Sequence, residues 1–180
     1  MAYCNPITGI PAGCDDNNLG AIKRALIGSF EDVSAITVDT VAPDIGKVTA
    51  VTKDAGKKFE EFIFKKDTSS FAEEAVIDLV ADTHGWKQTV ELGFRRFDLV
   101  KRNAIMLLAE SRRDLIIVVE DFNGDYWMIG SDQGARLSAD SSTSNNTRAG
   151  GQTTTLTFTA DYERYKFYKV DPTIAQGLLT

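Results

Sequence analysis

The sequence predicts a mainly β domain with one flanking α-helix, and three observations carry that prediction. Residues 115–130, LIIVVEDFNGDYWMIG, place two apolar runs on either side of Asn123-Gly124. An Asn-Gly pair between apolar arms is the strongest short-range hairpin signal. Further segments, notably 36–41, 47–53, 86–94 and 153–160, alternate apolar with polar or small residues, which is the period of a half-buried strand. One stretch, 98–111, combines a helical period with signals at both ends.

The chain has 180 residues, enough for one domain with a substantial core. Its 43% hydrophobic content is ordinary for a folded protein. The formal charge is -6, from 26 acidic and 20 basic residues, which disfavours a general nucleic-acid binder with a basic footprint. It leaves room for a protein that nucleic acid merely passes. The two cysteines, Cys4 and Cys14, have no zinc spacing, and they read as reduced thiols or as a small disulfide loop. The N-terminus has no signal-peptide pattern and no apolar run approaches membrane length, so the expectation is use without export by the usual route and no membrane partner.

Residues 1–20 form an irregular arm with Pro6, Pro11 and three glycines. A single β-rich domain is expected over 21–171. Segment 21–30 has Ile22, Leu26 and Ile27 at helical spacing, but Gly28 and the following Val33, Ile36 and Val38 favour strand. Strands are expected at 36–41, 47–53 and 57–66, with turns at Pro43-Asp44 and 54–56. Segment 71–81 is ambiguous, because Glu73 and Glu74 suit a helix and Val76, Ile77 and Val80 suit a strand. Its neighbours decide for strand. With Thr83-His84-Gly85 as the turn, it forms a long hairpin with 86–94.

The helix should run from an Asp98 cap to Ser111, with Val100, Ala104, Leu107, Leu108 and Ser111 on its apolar face. Arg112 and Arg113 suit its C-terminal end. The central hairpin follows, with a type I′ turn requiring positive φ at both Asn123 and Gly124. Its continuously apolar first arm predicts cover on both faces and a place inside a sheet. Segment 138–152 is polar and glycine-terminated and reads as a mobile loop. Strand 153–160 should carry Leu156 and Phe158 on one face and a threonine ladder on the other. Residues 162–170 should make the last strand, and 172–180 a short tail.

The sequence contains no recognisable nucleophile, phosphate-loop, zinc or dinucleotide motif, so an enzyme is not expected, nor a cofactor or a metal. The single histidine, His84, reads as an exposed turn residue. Glu120, Asp121, Asn123 and Asp125 superficially resemble a calcium loop. They lack its glycine position and closing glutamate and read better as a solvated hairpin tip. Glu60-Glu61 and Glu73-Glu74 are neighbours on strands, so each pair points to opposite faces. Tyr162, Tyr165, Phe167 and Tyr168 interleave with Arg164, Lys166 and Lys169, a pattern that could stack single-stranded nucleic acid but also suits an ordinary strand.

A resemblance runs across residues 86–170. Trp86, Gln88, Thr89 and Val90 form W-x-Q-T-V. Glu120, Asp121, Asn123, Gly124, Tyr126, Trp127 and Gly130 form E-D-x-N-G-x-Y-W-x-x-G. Gly134, Arg136 and Leu137 then precede a polar loop and the strand Thr155–Thr159. This succession resembles tail-tube-like virion proteins of tailed bacteriophages, especially those infecting Bacteroidetes hosts. The resemblance implies a β-sandwich or half-barrel of the tail-tube type with one flanking helix. It implies copies that form rings, often hexameric, joined with other tail or connector proteins of a virion assembled in the host cytoplasm. DNA would pass through without specific binding. On that reading the hairpin 71–94 is expected to line the lumen, with Glu73, Glu74, Asp78, Asp82 and Glu91 facing DNA. The competing expectation is a soluble β-sandwich binding module, for instance for carbohydrate, with Trp86 or Trp127 as a platform.

Overall fold

The computed structural model describes residues 20–41, 43–64, 68–78, 80, 82–95, 99–144 and 151–180. The arm with Cys4 and Cys14, the Asp98 cap and the middle of the polar loop lie outside the described residues. The described residues are mainly β, with two sheets, one longer helix and a short second helix. The first sheet contains β1 (Ile22–Ser29), β2 (Val33–Val38), β3 (Lys47–Lys53), β4 (Glu60–Ile63), β7 (Leu115–Asp121), β8 (Tyr126–Ile129) and β11 (Tyr168–Val170). Its order is β2-β3-β11-β8-β7-β1-β4. The second contains β5 (Ser70–Asp78), β6 (Thr83–Arg95), β9 (Arg136–Thr143) and β10 (Thr153–Glu163), in the order β5-β6-β10-β9. Neighbours pair antiparallel, except that β11 runs parallel to β3.

The sheets pack face to face. Ile22, Ala25 and Ile27 of β1 and Ile117 and Val119 of β7 meet Val90 and Leu92 of β6 and Leu156 and Phe158 of β10. The far face of the larger sheet is covered as well. Leu26, Ile116, Val118 and Met128 pack there with Phe59, Ala175 and Leu178. Every residue of β7 is therefore buried, as its continuous apolar run predicted. Gly28 is required beneath Phe59, since a Cβ there would lie 2.4 Å from the ring.

A β-bulge between Ile22 and Arg24 explains the ambiguous spacing of 21–30. The bulge switches the inward parity, so Ile22 shares a face with Ala25 and Ile27 and the segment imitates a helix. The segment 172–180, expected as a tail, is largely the helix α2 (Pro172–Gly177) docked on the second core. Asp171 caps it by accepting a hydrogen bond from the Thr173 N–H, and Pro172 occupies the first turn.

Four other expectations are corrected. Thr83, His84 and Gly85 belong to β6, and the turn lies between Asp78 and Thr83, with Asp82 left-handed at φ 51°. Ser138–Thr143, expected as mobile loop, is strand paired to β10. Tyr162 and Glu163 end β10 after another bulge, leaving only Tyr168–Val170 as the last strand. The helix α1 (Leu99–Ser111) is present, but only Ile105 and Leu108 pack on the core, while Ala104 is exposed and Val100 and Leu107 are 74% and 65% exposed. Apolar residues surround this helix, so its period alone did not select the packed side.

Candidate functional site

The four-stranded sheet has one face in the core and one open to solvent. Cross-strand partners share a face, so the pairing of β5 with β6 and of β6 with β10 defines the open one. Thr89, Thr153, Thr155 and Thr157 form its centre. Each is half-buried between neighbours, in strict alternation with Thr154, Leu156 and Phe158 beneath. Ser138 Oγ extends the hydroxyl network, lying 2.8 Å from Thr159 Oγ1.

This geometry sorts the five acids expected to face DNA. Glu74, Asp78 and Glu91 lie on the open face, beside Lys87 and, at the far end, Arg95. Asp82 sits in the exposed turn. Glu73 is corrected: it is on the inward side with Phe71, accepts a hydrogen bond from the Phe167 N–H at 3.1 Å and pairs with Lys166 at 3.4 Å. Strand alternation separates it from Glu74.

Beyond Trp86, which pairs with Glu163 of β10, the β5–β6 hairpin has no second sheet neighbour among the described residues. It projects as a two-stranded ribbon whose tip carries Ile77, 64% exposed, and Val80, 98% exposed. At the opposite end of β6, α1 roofs an apolar hollow of about 480 Å³. Phe62, Phe64, Leu92, Phe94, Ile105 and Leu108 line much of it. Phe94 makes edge contacts with both Phe62 and Phe64.

The central hairpin differs from expectation in its turn. Gly124 has φ +89°, whereas Asn123 is not in the left-handed region. The Gly124 N–H bonds to the Asp121 carbonyl and the Asp121 N–H to the Asp125 carbonyl. This is a three-residue loop with glycine in the left-handed position, and not a type I′ turn. Asp121 forces the choice. Its Oδ1 accepts from the N–H groups of both Asn123 and Asp125 at 2.9 Å, and its Oδ2 accepts from Trp127 Nε1.

Glu120 and Asp121 are buried, which corrects the solvated-tip expectation. The β1 bulge places both Lys23 and Arg24 opposite Glu120. Lys23 Nζ lies 2.6 Å from Glu120 Oε1, Arg24 Nε pairs with Oε2, and the Tyr126 hydroxyl donates to Oε2 at 2.9 Å. Arg24 also reaches Glu61 at 2.7 Å. Burial pushes the Glu120 carboxyl up, but the hydrogen bonds from Lys23, Tyr126 and Arg24 outweigh it and hold the group below the usual range. Glu163 behaves oppositely. Burial raises its carboxyl, despite the N–H groups of Gln133 and Asp132 that bond to it at 2.9 Å. Both acids are joints of the scaffold: Glu120 ties β7 to β1, and Glu163 holds the loop after β8. The adjacent-acid spacing could not reveal either role.

The aromatic–basic segment does not form a single stacking strip. Phe167 packs against Phe71, Tyr165 against Tyr168, and Tyr162 stands 67% exposed. Lys166 lies 4.4 Å above the Trp86 ring and Lys169 5.8 Å from that of Trp127, so each indole is half-buried beneath a cation. Among the described residues no group of three or more His, Cys, Asp or Glu is placed to hold a metal ion, and no helix is long and apolar enough to cross a membrane. Comparison of the chain with protein-family models, with curated proteins and with solved structures found no match.

Proposed function

We propose that this protein is a virion structural subunit of a tailed bacteriophage, whose copies assemble into a ring or tube through which DNA passes. The observation that carries the reading is the four-stranded sheet. It presents a broad hydroxyl-lined face to solvent, and β5 and β9 form its two margins without a further strand partner among the described residues. An unpaired strand edge is a template for another strand. The two edges lie on opposite margins, so pairing β5 of one copy with β9 of the next is heterologous and closes into a ring when the rotation permits. The open faces then become the lumen wall.

The chemistry of that face suits passage. Lysines and arginines on phosphates release counterions and hold DNA in place. Threonine hydroxyls present no fixed charge, and Glu74, Asp78 and Glu91 share the face with Lys87, Arg95 and Arg136, the last of which is paired with Asp114. Like charge centres the duplex only where the wall lies within the Debye length, about 8 Å at physiological salt. Other tail or connector proteins would cap the assembly.

Electron microscopy of the purified full chain at high concentration tests the reading. Rings or tubes with an axial opening are expected. A protein that stays monomeric at every concentration, or whose particles bury the threonine face, overturns it.

A further inference from the structure

We infer that the β5–β6 tip of one copy inserts into the apolar hollow beneath α1 of another, joining successive rings along the axis of the tube. The inference rests on the ring reading above and adds the contact that would make a ring into a stack.

Three observations carry it. First, the two features are complementary in shape and polarity. The tip exposes Ile77 and Val80 on a ribbon with no second sheet neighbour among the described residues, and the hollow of about 480 Å³ is walled by phenylalanines, leucines and Ile105 with an exposed Ile63 at its mouth. Second, their charges are opposite. The tip carries the exposed acids Asp78 and Asp82. The hollow is lined by Arg95 and by Glu61, which Arg24 engages, and α1 bears the exposed Arg102 and Glu110, with the exposed Arg112 and Arg113 directly after its end, so cations are in excess on this side. Opposite fields steer encounter and fix orientation. Third, tip and hollow occupy opposite ends of one strand. β6 has 13 residues, so at roughly 3.3 Å per residue they stand about 40 Å apart. A protruding apolar knob and a distant pocket on the same molecule make a head-to-tail contact that repeats without closing. Directed along β6, it repeats along the lumen wall, while the β5 and β9 margins remain available for ring closure.

Crosslinking between two full-length preparations tests this. Cys4→Ser and Cys14→Ser are made in both. One preparation then carries Val80→Cys and the other Ile63→Cys. Mixed and oxidised, the two should give a disulfide-linked heterodimer, since seating the tip brings these positions within bridging distance. Asp82→Arg should lower the yield at least several-fold at low salt, and adding Arg95→Asp in the partner should restore part of it. Sedimentation and micrographs of the same samples report rings independently. Crosslinked open chains without rings would uphold the tip contact and overturn the ring reading. Rings without the crosslink would overturn the tip contact alone, and absence of both would overturn both. Crosslinking equally efficient for a surface control, Thr155→Cys against Ile63→Cys, would show random collision and also overturn the inference. A small apolar molecule held in the hollow of every copy, seen by native mass spectrometry and blocking the crosslink, would do the same.

Discussion

The two sheets of this sandwich solve different problems. The seven-stranded sheet is covered on both faces, and its central strand β7 is buried at every position. The four-stranded sheet is covered on one face only, and β10 alternates between buried and half-exposed residues over most of its length. The first sheet is the scaffold. The second meets the scaffold with Val90, Leu92, Leu156 and Phe158 and leaves its other face open to solvent. Substitutions should therefore be costly on either face of β7 and on one face of β10.

The largest effects test the double cover. Ile116→Ala and Ile117→Ala point into different cores, and each should lower stability by about 3 kcal/mol in denaturant titrations. A cost under about 1 kcal/mol for Ile116→Ala would mean that α2 and Phe59 do not seal that face.

The ion network tests how the scaffold is joined. Glu120→Gln should cost about 2 kcal/mol, less than a fully buried pair because the Lys23 side chain is 57% exposed. Its pH dependence has a definite sign. The folded carboxyl lies below its unfolded value, so its contribution is present above about pH 4.3, the unfolded value, and is lost as pH falls through the lower folded one. The variant should show a shallower acid limb than the parent. Parallel acid limbs would assign that limb to other carboxyls.

Gly124→Val should cost about 1 kcal/mol, because a β-branched residue resists positive φ. A Cβ there meets nothing within 4 Å, so the cost is conformational and the melting temperature should fall modestly. Asn123→Ala should cost less than Gly124→Val, since only Gly124 is left-handed. The reverse order would restore the type I′ turn.

The smallest stability effects belong to the open face. Thr157→Ala should change stability by less than about 0.5 kcal/mol, and so should Lys replacements at Glu74 and Glu91. If the chain is the proposed conduit subunit, these Lys variants should still assemble but slow DNA ejection, more so at low salt. Glu73→Lys should instead destabilise the monomer, because Glu73 faces inward and holds Lys166 and the Phe167 N–H. Equal effects of all three on ejection alone would undo the assignment of faces.

The sequence by itself determined what local periodicity can carry. The continuous run 115–119 specified burial on both sides, the alternation from Thr153 to Ala160 specified one covered face, and Asn123-Gly124 specified a tight hairpin. These follow from strand geometry, in which each residue's face depends only on its neighbours. The Asp171-Pro172 helix start is an equally local signal. What the tertiary structure decided depends on partners distant in the chain. Glu120 meets Lys23 across 97 positions, and the β1 bulge that brings Lys23 and Arg24 to one carboxylate has no local signature. The packed side of α1 was chosen by the sheets beneath it, because apolar residues ring that helix. Glu73 and Glu74 look equivalent in sequence, and only the pairing of β5 with β6, with Val90 already committed to the core, decides which of them meets solvent.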